Sequence, residues 1–471
     1  MVARSMMKGS NSNSVDLRGF LALLESEGGL VRVKRDVSPK FELAAVTAKL
    51  DGKQAVMFEK VHGSKMKVAC NVVGTPKKFY YALSGARKIE KPQDVKRAIH
   101  TRITEALISL SEPVKAQSGA PFEKNSSTNL NDLPIVTHFE KDAGPFITAS
   151  IVFAKDQEKG SQNQSTHRLL HLDERHMAIR MVEGRHLHKC FTYAKDHGED
   201  LKVAIGIGVH PAVSIAAAYQ AAYGVDEMLI ANSLLDGRLS LTRTSYSQLY
   251  VPSHTEIVIE GKILKDKTHE EWMVEMLRTY DFKRKQPVFE LEKIWFRDDP
   301  IYHDILPGYS EHRLLMGLPV EAKMFDYIKN VVPTTQAVHL TDGGSNWLSA
   351  VIQIKKRLEG EPKNALMAAF SAHPSLKMAI VVDEDIDPTD PVAVEYAIVT
   401  RSQADKDFII IPNSKGSSLD PSSDQTNLLT TKLGIDATAS LLKPREGFEI
   451  AKIPGEEEVE LSEYISGRTR D

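Results

Sequence analysis

The spacing of apolar residues predicts a helical start to the chain, followed by short alternating elements. Behind Asp16, a typical N-cap residue, apolar side chains recur at helical intervals: Leu17, Phe20, Leu21 and Leu24. Four further elements follow, namely a strand at 30–33, a helix at 41–50, a strand at 55–58 and a helix at 92–110. Together they predict a small N-terminal α/β domain over residues 15–115.

The middle of the chain is dominated by short runs with strand character. These runs lie at residues 147–153, 167–172, 177–182, 248–251, 256–259 and 288–296. Strands at this density favour a barrel or a folded sheet, interrupted here by a helix at 211–223. The Ser-, Pro- and Asn-rich stretch 111–134 marks the boundary in front of it. We therefore predict a central strand-rich domain at residues 132–318.

Helix and strand alternate again beyond Pro319, which predicts a C-terminal α/β domain at residues 319–453. The predicted fold class is thus α+β in three parts. Residues 1–14 lack the apolar core of a secretory signal and are expected to form a disordered leader. Residues 454–471 are expected to form a charged, mobile tail.

Composition narrows the kinds of partner and the cellular location that we expect for the protein. The formal net charge is only -3, from 60 basic and 63 acidic residues, so no polycationic surface for nucleic acid is expected. No apolar run is long enough to span a bilayer. The two cysteines, Cys70 and Cys190, are too few for a disulfide framework in a chain of 471 residues. A reducing, cytoplasmic location is therefore the simpler reading.

The run from Gly184 to Cys190 offers candidate metal ligands. If it is extended, His186, His188 and Cys190 point to one face, because strand side chains alternate. A metal site is one interpretation of this pattern. A half-buried strand with satisfied histidines is the other.

A longer set of separated polar residues is more specific. Asn163 and Arg168 form an N-x4-R turn, His186 lies eighteen residues beyond Arg168, and Glu227 follows a Gly-Val-Asp turn. A Leu-Tyr-Val-Pro block at 249–252 and an acid pair at Glu270 and Glu275 complete the set. In order and spacing, these residues resemble the UbiD-like decarboxylase family, which includes the fungal ferulic acid decarboxylase. The resemblance runs from about Leu17 to at least Ser423.

The resemblance implies a cofactor and the groups that hold it. It implies that the central domain is a split-barrel, flavin-binding domain that carries prenylated FMN. Asn163, His186 and Glu227 match the family's ligands of a divalent metal, usually manganese, which clamps the flavin phosphate. Mn²⁺ or Mg²⁺ suits such oxygen and imidazole ligands. Arg401 and Asp407 fall where the family places a second, monovalent cation such as K⁺, and residues 416–423 resemble its mobile loop.

The resemblance also implies the catalytic residues. Arg168, which lies beside the flavin in the family, matches its catalytic arginine, and Glu270 and Glu275 match its two acids. Arg168 would hold the substrate carboxylate by paired hydrogen bonds, and Glu275 would deliver the proton that replaces CO2. Glu270 would lie between Arg168 and the flavin. From residue types alone, a buried ion-pair network without turnover is an equally good interpretation.

The chain departs from the family pattern at two places. The family's acid pair reads E-G-P-F-G-E or E-G-P-F-V-D, whereas this chain lacks the Gly-Pro turn and reads Glu-Glu-Trp-Met-Val-Glu at 270–275. The register favours Glu270, and Glu271 remains a rival because it would share a helical face with Glu275. The family lysine that contacts the flavin phosphate falls opposite Ser371, with His373 and Lys377 as possible replacements.

The expected reaction is a non-oxidative decarboxylation of a small-molecule carboxylic acid. Residues 286–317 resemble the archaeal branch of the family, which implies conversion of trans-anhydromevalonate 5-phosphate to isopentenyl phosphate and CO2 in mevalonate-type isoprenoid biosynthesis. Candidate ligands for the substrate phosphate are His254, His269, His303, His312, Arg313 and residues 415–418. The alternatives are decarboxylation of an aromatic acid such as a 4-hydroxybenzoate, an FMN-dependent reductase, and an inactive assembly subunit.

The family also implies partners. A flavin prenyltransferase would supply the cofactor, and the chain would form a homo-oligomer, at least a dimer, through its C-terminal domain. Neither nucleic acid nor a membrane is expected as a partner.

Overall fold

The structure, a computed structural model, describes residues 14–84, 95–219, 221, 225–451 and 453–464 of the chain. Residues 1–13 of the expected leader lie outside this part of the chain. So do Lys452 and residues 465–471, so the expected charged tail at 454–471 is described only as far as Tyr464.

The N-terminal part contains α1 (Leu17–Ser26), β1 (Leu30–Val37), α2 (Glu42–Lys49), β2 (Ala55–Val61), β3 (Lys67–Cys70), α3 (Pro76–Ser84) and α4 (Val95–Ile108). The predicted N-cap is confirmed, because the Asp16 side chain accepts a hydrogen bond from the backbone N–H of Gly19. The apolar face of α1 is buried, which explains why its helical spacing could be read from the sequence.

The central part contains β4 (Val114–Ala116), β5 (Asn125–Ser127), β6 (Phe146–Lys155), β7 (Gln162–His171), β8 (His176–Ile179), α5 (His186–Asp196), β9 (Leu201–Ile207), α6 (Pro211–Ala218), α7 (Glu227–Leu234), β10 (Ser240–Arg243), β11 (Tyr250–Pro252), β12 (Ile257–Glu271), β13 (Arg284–Phe296) and β14 (Ile301–His303). Short strand β14 leaves this region and completes the N-terminal sheet, whose order is β1-β2-β3-β14.

Six of the central strands close into a barrel. Their order is β12-β9-β6-β7-β8-β13, and β13 pairs back with β12. Alternate side chains fill the interior with buried aliphatic and aromatic residues, including Val152, Val203 and Phe289. Gly261 lies where β12 and β13 shift register, and a Cβ there would be 2.1 Å from the carbonyl oxygen of Glu290. Glycine is therefore required for this close approach.

The C-terminal part contains α8 (Ser310–Val331), β15 (Thr335–Leu340), β16 (Ser349–Ile354), α9 (Glu361–Ala372), β17 (Met378–Val382), α10 (Pro391–Arg401), α11 (Ala404–Asp407), β18 (Phe408–Lys415) and β19 (Leu429–Ala437), with α12 (Leu461–Tyr464) close to the end of the chain. Its five-stranded sheet has the order β15-β16-β17-β19-β18. The middle strands β16, β17 and β19 are parallel, and their helices cover a buried apolar core.

The α+β fold class is confirmed, but the local structure differs from the prediction at two places. The run from Gly184 to Cys190 is not a strand, because α5 begins at His186. Leu187, Cys190 and Phe191 are buried at helical spacing, and their packing decides the local structure. The expected boundary between residues 318 and 319 falls inside α8, which runs on from Ser310 to Val331. Within the described ranges, no helix is both long enough and apolar enough to cross a membrane.

Candidate active site

A cavity of about 540 Å³ lies between the barrel and the C-terminal part of the chain. Strands β6 and β7 line one side, and α6 and the first residues of α5 and α7 line another. Residues 273–275 and the segment 415–419 complete the wall. The volume is in the range of pockets that hold small molecules and cofactors.

Three polar side chains meet at one end of the cavity. The Asn163 amide nitrogen lies 3.2 Å from a carboxylate oxygen of Glu227 and 3.3 Å from Nδ1 of His186. His186 Nδ1 lies 3.8 Å from the same oxygen of Glu227. Amide, imidazole and carboxylate groups are suitable ligands for Mn²⁺ or Mg²⁺, and a half-turn of the amide directs Oδ1 of Asn163 to the same point. The three predicted metal ligands are therefore brought together.

Two helices begin at this group. His186 is the first residue of α5 and Glu227 is the first residue of α7, so the positive ends of two helix dipoles approach each other. Glu227 also accepts a hydrogen bond from the backbone N–H of Gln164 at 3.0 Å. Asp226 caps α7, and burial raises the pKa of its carboxyl to about 6. Helix N-termini of this kind favour a phosphate group.

A second polar group is centred on Arg168. We call it the acid group and define it as Arg168, Glu271, Glu275 and Asp281. The guanidinium donates from Nε and Nη2 to Glu271 at 2.9 and 2.8 Å, and from Nη2 to Asp281 at 3.0 Å. Nη1 donates to Glu275. Burial opposes the charge of Arg168, yet the surrounding carboxylates raise the pKa of its guanidinium above the ordinary value.

The structure places Glu271, rather than the predicted Glu270, against Arg168. Glu270 is exposed and pairs across the ladder with Lys285, whereas Glu271 is fully buried against Arg168. Neighbouring side chains in a strand point to opposite faces, so only one of the two glutamates can reach Arg168. Strand β12 changes register between Ile263 and Thr268, and this irregularity is not visible in the spacing of charged residues.

Asp281 was not predicted from the sequence. The chain turns back after Glu275, with Val274 bridged to Tyr280, and this turn brings Asp281 to Arg168. Burial raises the pKa of the Asp281 carboxyl, but the charges of Arg168 and Arg284 reverse the effect and hold it below its usual value. Only the return of the chain distinguishes this aspartate from others, so no local signal could have identified it.

Asn163, His186 and Glu227, which we call the metal-ligand group, and the acid group each include one residue of strand β7. Asn163 and Arg168 are five residues apart on β7, a separation of about 16 Å along an extended strand. Both line the same cavity. This arrangement suits an elongated ligand with a phosphate at one end and a reacting ring at the other.

The other predicted cofactor residues have different surroundings. Arg401 donates to Asp383 at 2.6 Å and to Asp385 at 2.7 and 2.9 Å, while Asp407 accepts from the backbone N–H of Gln403. The structure thus places Arg401 and Asp407 in different hydrogen-bond groups.

The three residues of the C-terminal part that were considered for contact with the flavin phosphate also have different surroundings. Ser371 is exposed, and Lys377 forms an ion pair with Asp420 at 2.7 Å. His373 is buried, and its Nε2 lies 3.0 Å from the Trp347 carbonyl oxygen. None of the three lines the cavity, although Trp347 and Ser375 do.

The candidates for the substrate phosphate fall into two classes. His312 and residues 415–418 line the cavity. Burial lowers the pKa of His312, which favours its neutral form. Four other candidates are not part of the cavity wall: His254, His269, His303 and Arg313. Nε2 of His303 lies 3.1 Å from a carboxylate oxygen of Glu311.

Family models cover most of the chain. The N-terminal, Rift-related and C-terminal domains of 3-octaprenyl-4-hydroxybenzoate carboxy-lyase, the UbiD models, match residues 21–99, 112–310 and 313–437. The chain is 42% identical over 421 residues to the anhydromevalonate phosphate decarboxylase of Methanocaldococcus jannaschii, covering 88% of this chain and 95% of that protein. It is 40% identical over 428 residues to the Methanothermobacter thermautotrophicus protein of the same name, covering 90% and 97%.

Solved structures agree with the sequence comparison. The UbiD-class enzyme HmfF from Pelotomaculum thermopropionicum, in complex with FMN, matches with a TM-score of 0.90 and 38% identity, covering 96% of this chain and all of that one. An evolved dimeric form of HmfF, in complex with prenylated FMN, matches with a TM-score of 0.87 and 36% identity over the same shares. These likenesses extend over the barrel and both flanking parts. The chain therefore belongs to the UbiD family of carboxy-lyases.

Proposed function

We propose that the protein converts trans-anhydromevalonate 5-phosphate to isopentenyl phosphate and CO2 with prenylated FMN as cofactor. The observation that carries this proposal is the position of Arg168 and its acids at one end of a cavity whose other end holds Asn163, His186 and Glu227. The relatives that are about 40% identical over most of the chain are named for this substrate.

The cofactor end has residues that fit a bound nucleotide phosphate. Asn163, His186 and Glu227 would hold Mn²⁺ or Mg²⁺ against the phosphate, assisted by the N-termini of α5 and α7. When bound, prenylated FMN supplies the electron sink for the carbanion that CO2 leaves behind. A K⁺ site at Arg401 and Asp407 stays part of the proposal, but the Arg401 guanidinium, which donates to Asp383 and Asp385, would not itself hold the ion.

Arg168 would position the substrate carboxylate. In the structure its N–H groups are directed to Glu271, Glu275 and Asp281, so a carboxylate must replace one of these acids. Glu275 is the acid to be replaced, because its side chain is 19% exposed, while those of Glu271 and Asp281 are 0% and 3% exposed. Glu271 and Asp281 would then keep Arg168 charged and fixed in orientation.

Glu275 would move the proton. The C–C bond to the carboxylate breaks to release CO2, and the electron pair left on carbon takes a proton from the Glu275 carboxyl. Solvent then reprotonates Glu275. Its exposure to the cavity allows both contacts, which the fully buried Glu271 cannot make.

Two enzymatic alternatives are less well supported. Vanillic acid decarboxylase of Sedimentibacter hydroxybenzoicus, which acts on an aromatic acid, is 29% identical with a TM-score of 0.82, below the identity to the archaeal enzymes. An FMN-dependent reductase would not require an arginine surrounded by three buried or partly buried acids. The same group argues against an inactive assembly subunit, because three acids around one arginine cost more to bury than a simple ion pair.

The proposal also covers the source of the cofactor, the location of the protein and its assembly. A flavin prenyltransferase would provide the cofactor, and the protein would act in the cytoplasm as a homo-oligomer. The helix α10 supports an assembly surface in the C-terminal part, because Val392, Tyr396 and Val399 are exposed on one face of it. Light scattering of the purified protein would test the assembly.

A comparison of substrates tests the proposed function. The protein, produced together with a flavin prenyltransferase, would be assayed for CO2 release from trans-anhydromevalonate 5-phosphate, 4-hydroxybenzoate and cinnamate. We expect the phosphorylated acid to have the highest kcat/KM, at least about tenfold above either aromatic acid. Faster turnover of an aromatic acid would overturn the substrate assignment. NAD(P)H consumption without CO2 release would support the reductase instead.

A further inference from the structure

The long basic side chains that line the cavity differ in what they contact. They are Arg168, Arg180, Arg185 and Lys415. Arg168 is surrounded by three carboxylates, and Arg180 donates to the Met181 carbonyl and lies 3.9 Å from Glu271 and Asp281. By contrast, Arg185 and Lys415 are exposed and form no side-chain hydrogen bond or ion pair with any residue that the structure describes. These two cations are therefore available to an anionic ligand.

Arg185 faces the C-terminal part of the chain. It directly follows Gly184, whose φ of +76° turns the chain into α5, and its side chain does not cap that helix. Burial lowers the pKa of the His373 imidazole, and the charges of Lys432, Lys323 and Arg185 lower it further. Arg185 and Ser375 also line the same cavity, so the Arg185 charge acts toward the segment that contains His373 and Ser375.

The same segment is joined to the loop after β18. Lys377 forms an ion pair with Asp420 at 2.7 Å and donates to Ser422. Lys415 and Ser418, at the start of this loop, line the cavity together with Ser375. Ser375, Lys415 and Ser418 thus line the cavity from the side of the C-terminal part, and Arg185 lines the same cavity from the central part.

Two hydroxyl groups add uncharged donors to this side. Ser375 and Ser418 are only partly exposed, and their hydroxyls bond to none of the described residues. Glu183, in the same loop as Arg185, is the opposing charge and is exposed to solvent. Two cations and two hydroxyls against one solvated carboxylate favour a phosphate monoester, which accepts several hydrogen bonds and carries up to two negative charges.

The proposed substrate needs such a place. It carries a carboxylate at one end and a phosphate at the other, and Arg168 accounts only for the carboxylate. We propose that Arg185 and Lys415, with the hydroxyls of Ser375 and Ser418, form the subsite for the substrate phosphate; this inference rests on the proposed function. Because Arg185 lies just before α5 in the central part and the other three belong to the C-terminal part, the phosphate would link the two parts and position the double bond.

Selectivity between two acids tests the subsite. Holoenzyme of the wild type, Arg185→Gln and Lys415→Gln would be assayed with trans-anhydromevalonate 5-phosphate and with its dephosphorylated acid. We expect Arg185→Gln to lower the ratio of the two kcat/KM values by about tenfold or more, and Lys415→Gln by less, because Lys415 is a point charge without a fork of donors. Arg185→Lys should restore part of the ratio. Lys195→Gln, an exposed cation on α5 outside the cavity wall, is the matched control.

The flavin also carries a phosphate, so flavin and metal content must be measured in each variant. An unchanged content with a lower ratio supports the substrate subsite. Loss of flavin from Arg185→Gln, with both acids affected equally, would assign the cation to the flavin phosphate and overturn the inference. An unchanged ratio in a wild-type-like variant would also overturn it while leaving the proposed function intact. Failure of the wild type to convert the phosphorylated acid would overturn the proposed function itself, and the inference with it.

Discussion

Glu271 accepts two hydrogen bonds from Arg168, at 2.9 Å from Nε and 2.8 Å from Nη2. This is the side-by-side geometry in which a carboxylate holds a guanidinium most firmly. Glu271 is fully buried, so the orientation of Arg168 depends on it. The spacing of charged residues favoured Glu270, whereas the residue that holds Arg168 in this way is its neighbour Glu271.

The pair of neighbouring glutamates gives a matched experiment. Glu271→Gln removes one buried charge from Arg168 and should lower kcat/KM by on the order of a hundredfold, because the carboxylate of the substrate is then badly oriented. Glu270→Gln changes an exposed residue and should stay within about twofold of the wild type. Steady-state decarboxylation assays on both holoenzymes would measure this, with flavin content as the control for cofactor loading. The reverse order of the two effects would restore Glu270 as the second acid.

Cofactor retention should depend on the metal-ligand group. Glu227→Ala leaves His186 and Asn163 without the only carboxylate of the group, so the divalent metal and the flavin phosphate that it neutralises should both be lost. We expect less than about a tenth of the wild-type metal by elemental analysis, with a matching loss of flavin absorbance. His197→Ala, just beyond the other end of α5, is the control that should keep both. A metal-free Glu227→Ala protein with full flavin occupancy would contradict this role.

Stability should fall in mild acid because of a buried histidine. Burial lowers the pKa of His210 to about 4, whereas a histidine in the unfolded chain titrates near 6.5. Between these values the unfolded state binds a proton that the folded state does not, so stability is lost as pH falls from about 6.5 toward 4. For His210 alone the loss between pH 7.5 and pH 5 is about 2 kcal/mol. His167, whose pKa burial also lowers to about 4, adds to it.

Replacing His210 by asparagine isolates the contribution of the His210 titration to the pH dependence of stability. Its imidazole Nδ1 accepts from the backbone N–H of Ala212 at the start of α6, and asparagine is also a good N-cap residue. His210→Asn should therefore keep the cap and remove the titration. Urea unfolding at pH 7.5 and pH 5 should show a smaller pH effect in this variant than in the wild type, by about 2 kcal/mol. An equal pH effect in both proteins would refute the assignment.

The sequence was informative where a pattern repeats or a set of residues is ordered. The helical spacing behind Asp16 and the density of short strands predicted α1 and the barrel, since buried faces impose these periods. The ordered set Asn163, His186 and Glu227 predicted one group from three elements that are far apart in the sequence.

Other features depend on irregular backbone, which leaves no such pattern. The change of register within β12 decides between Glu270 and Glu271, and the turn after Glu275 decides the position of Asp281. The segment that begins at His186 alternates polar and apolar residues over its first positions, so its strand-like pattern was misleading until the packing of Phe191 was known. Local patterns are weak evidence where tertiary contacts set the conformation.

The central claim is decarboxylation of a phosphorylated, unsaturated acid with a bound prenylated flavin. The most direct measurement is the product formed when holoenzyme is incubated with trans-anhydromevalonate 5-phosphate, by phosphorus NMR with CO2 measured in the same sample. We predict isopentenyl phosphate and CO2 in equal amounts from holoenzyme, no product from protein made without the prenyltransferase, and at least a hundredfold slower formation by Glu275→Gln holoenzyme, on the order expected for a positioned acid. Unchanged substrate after incubation with fully loaded holoenzyme would contradict the account.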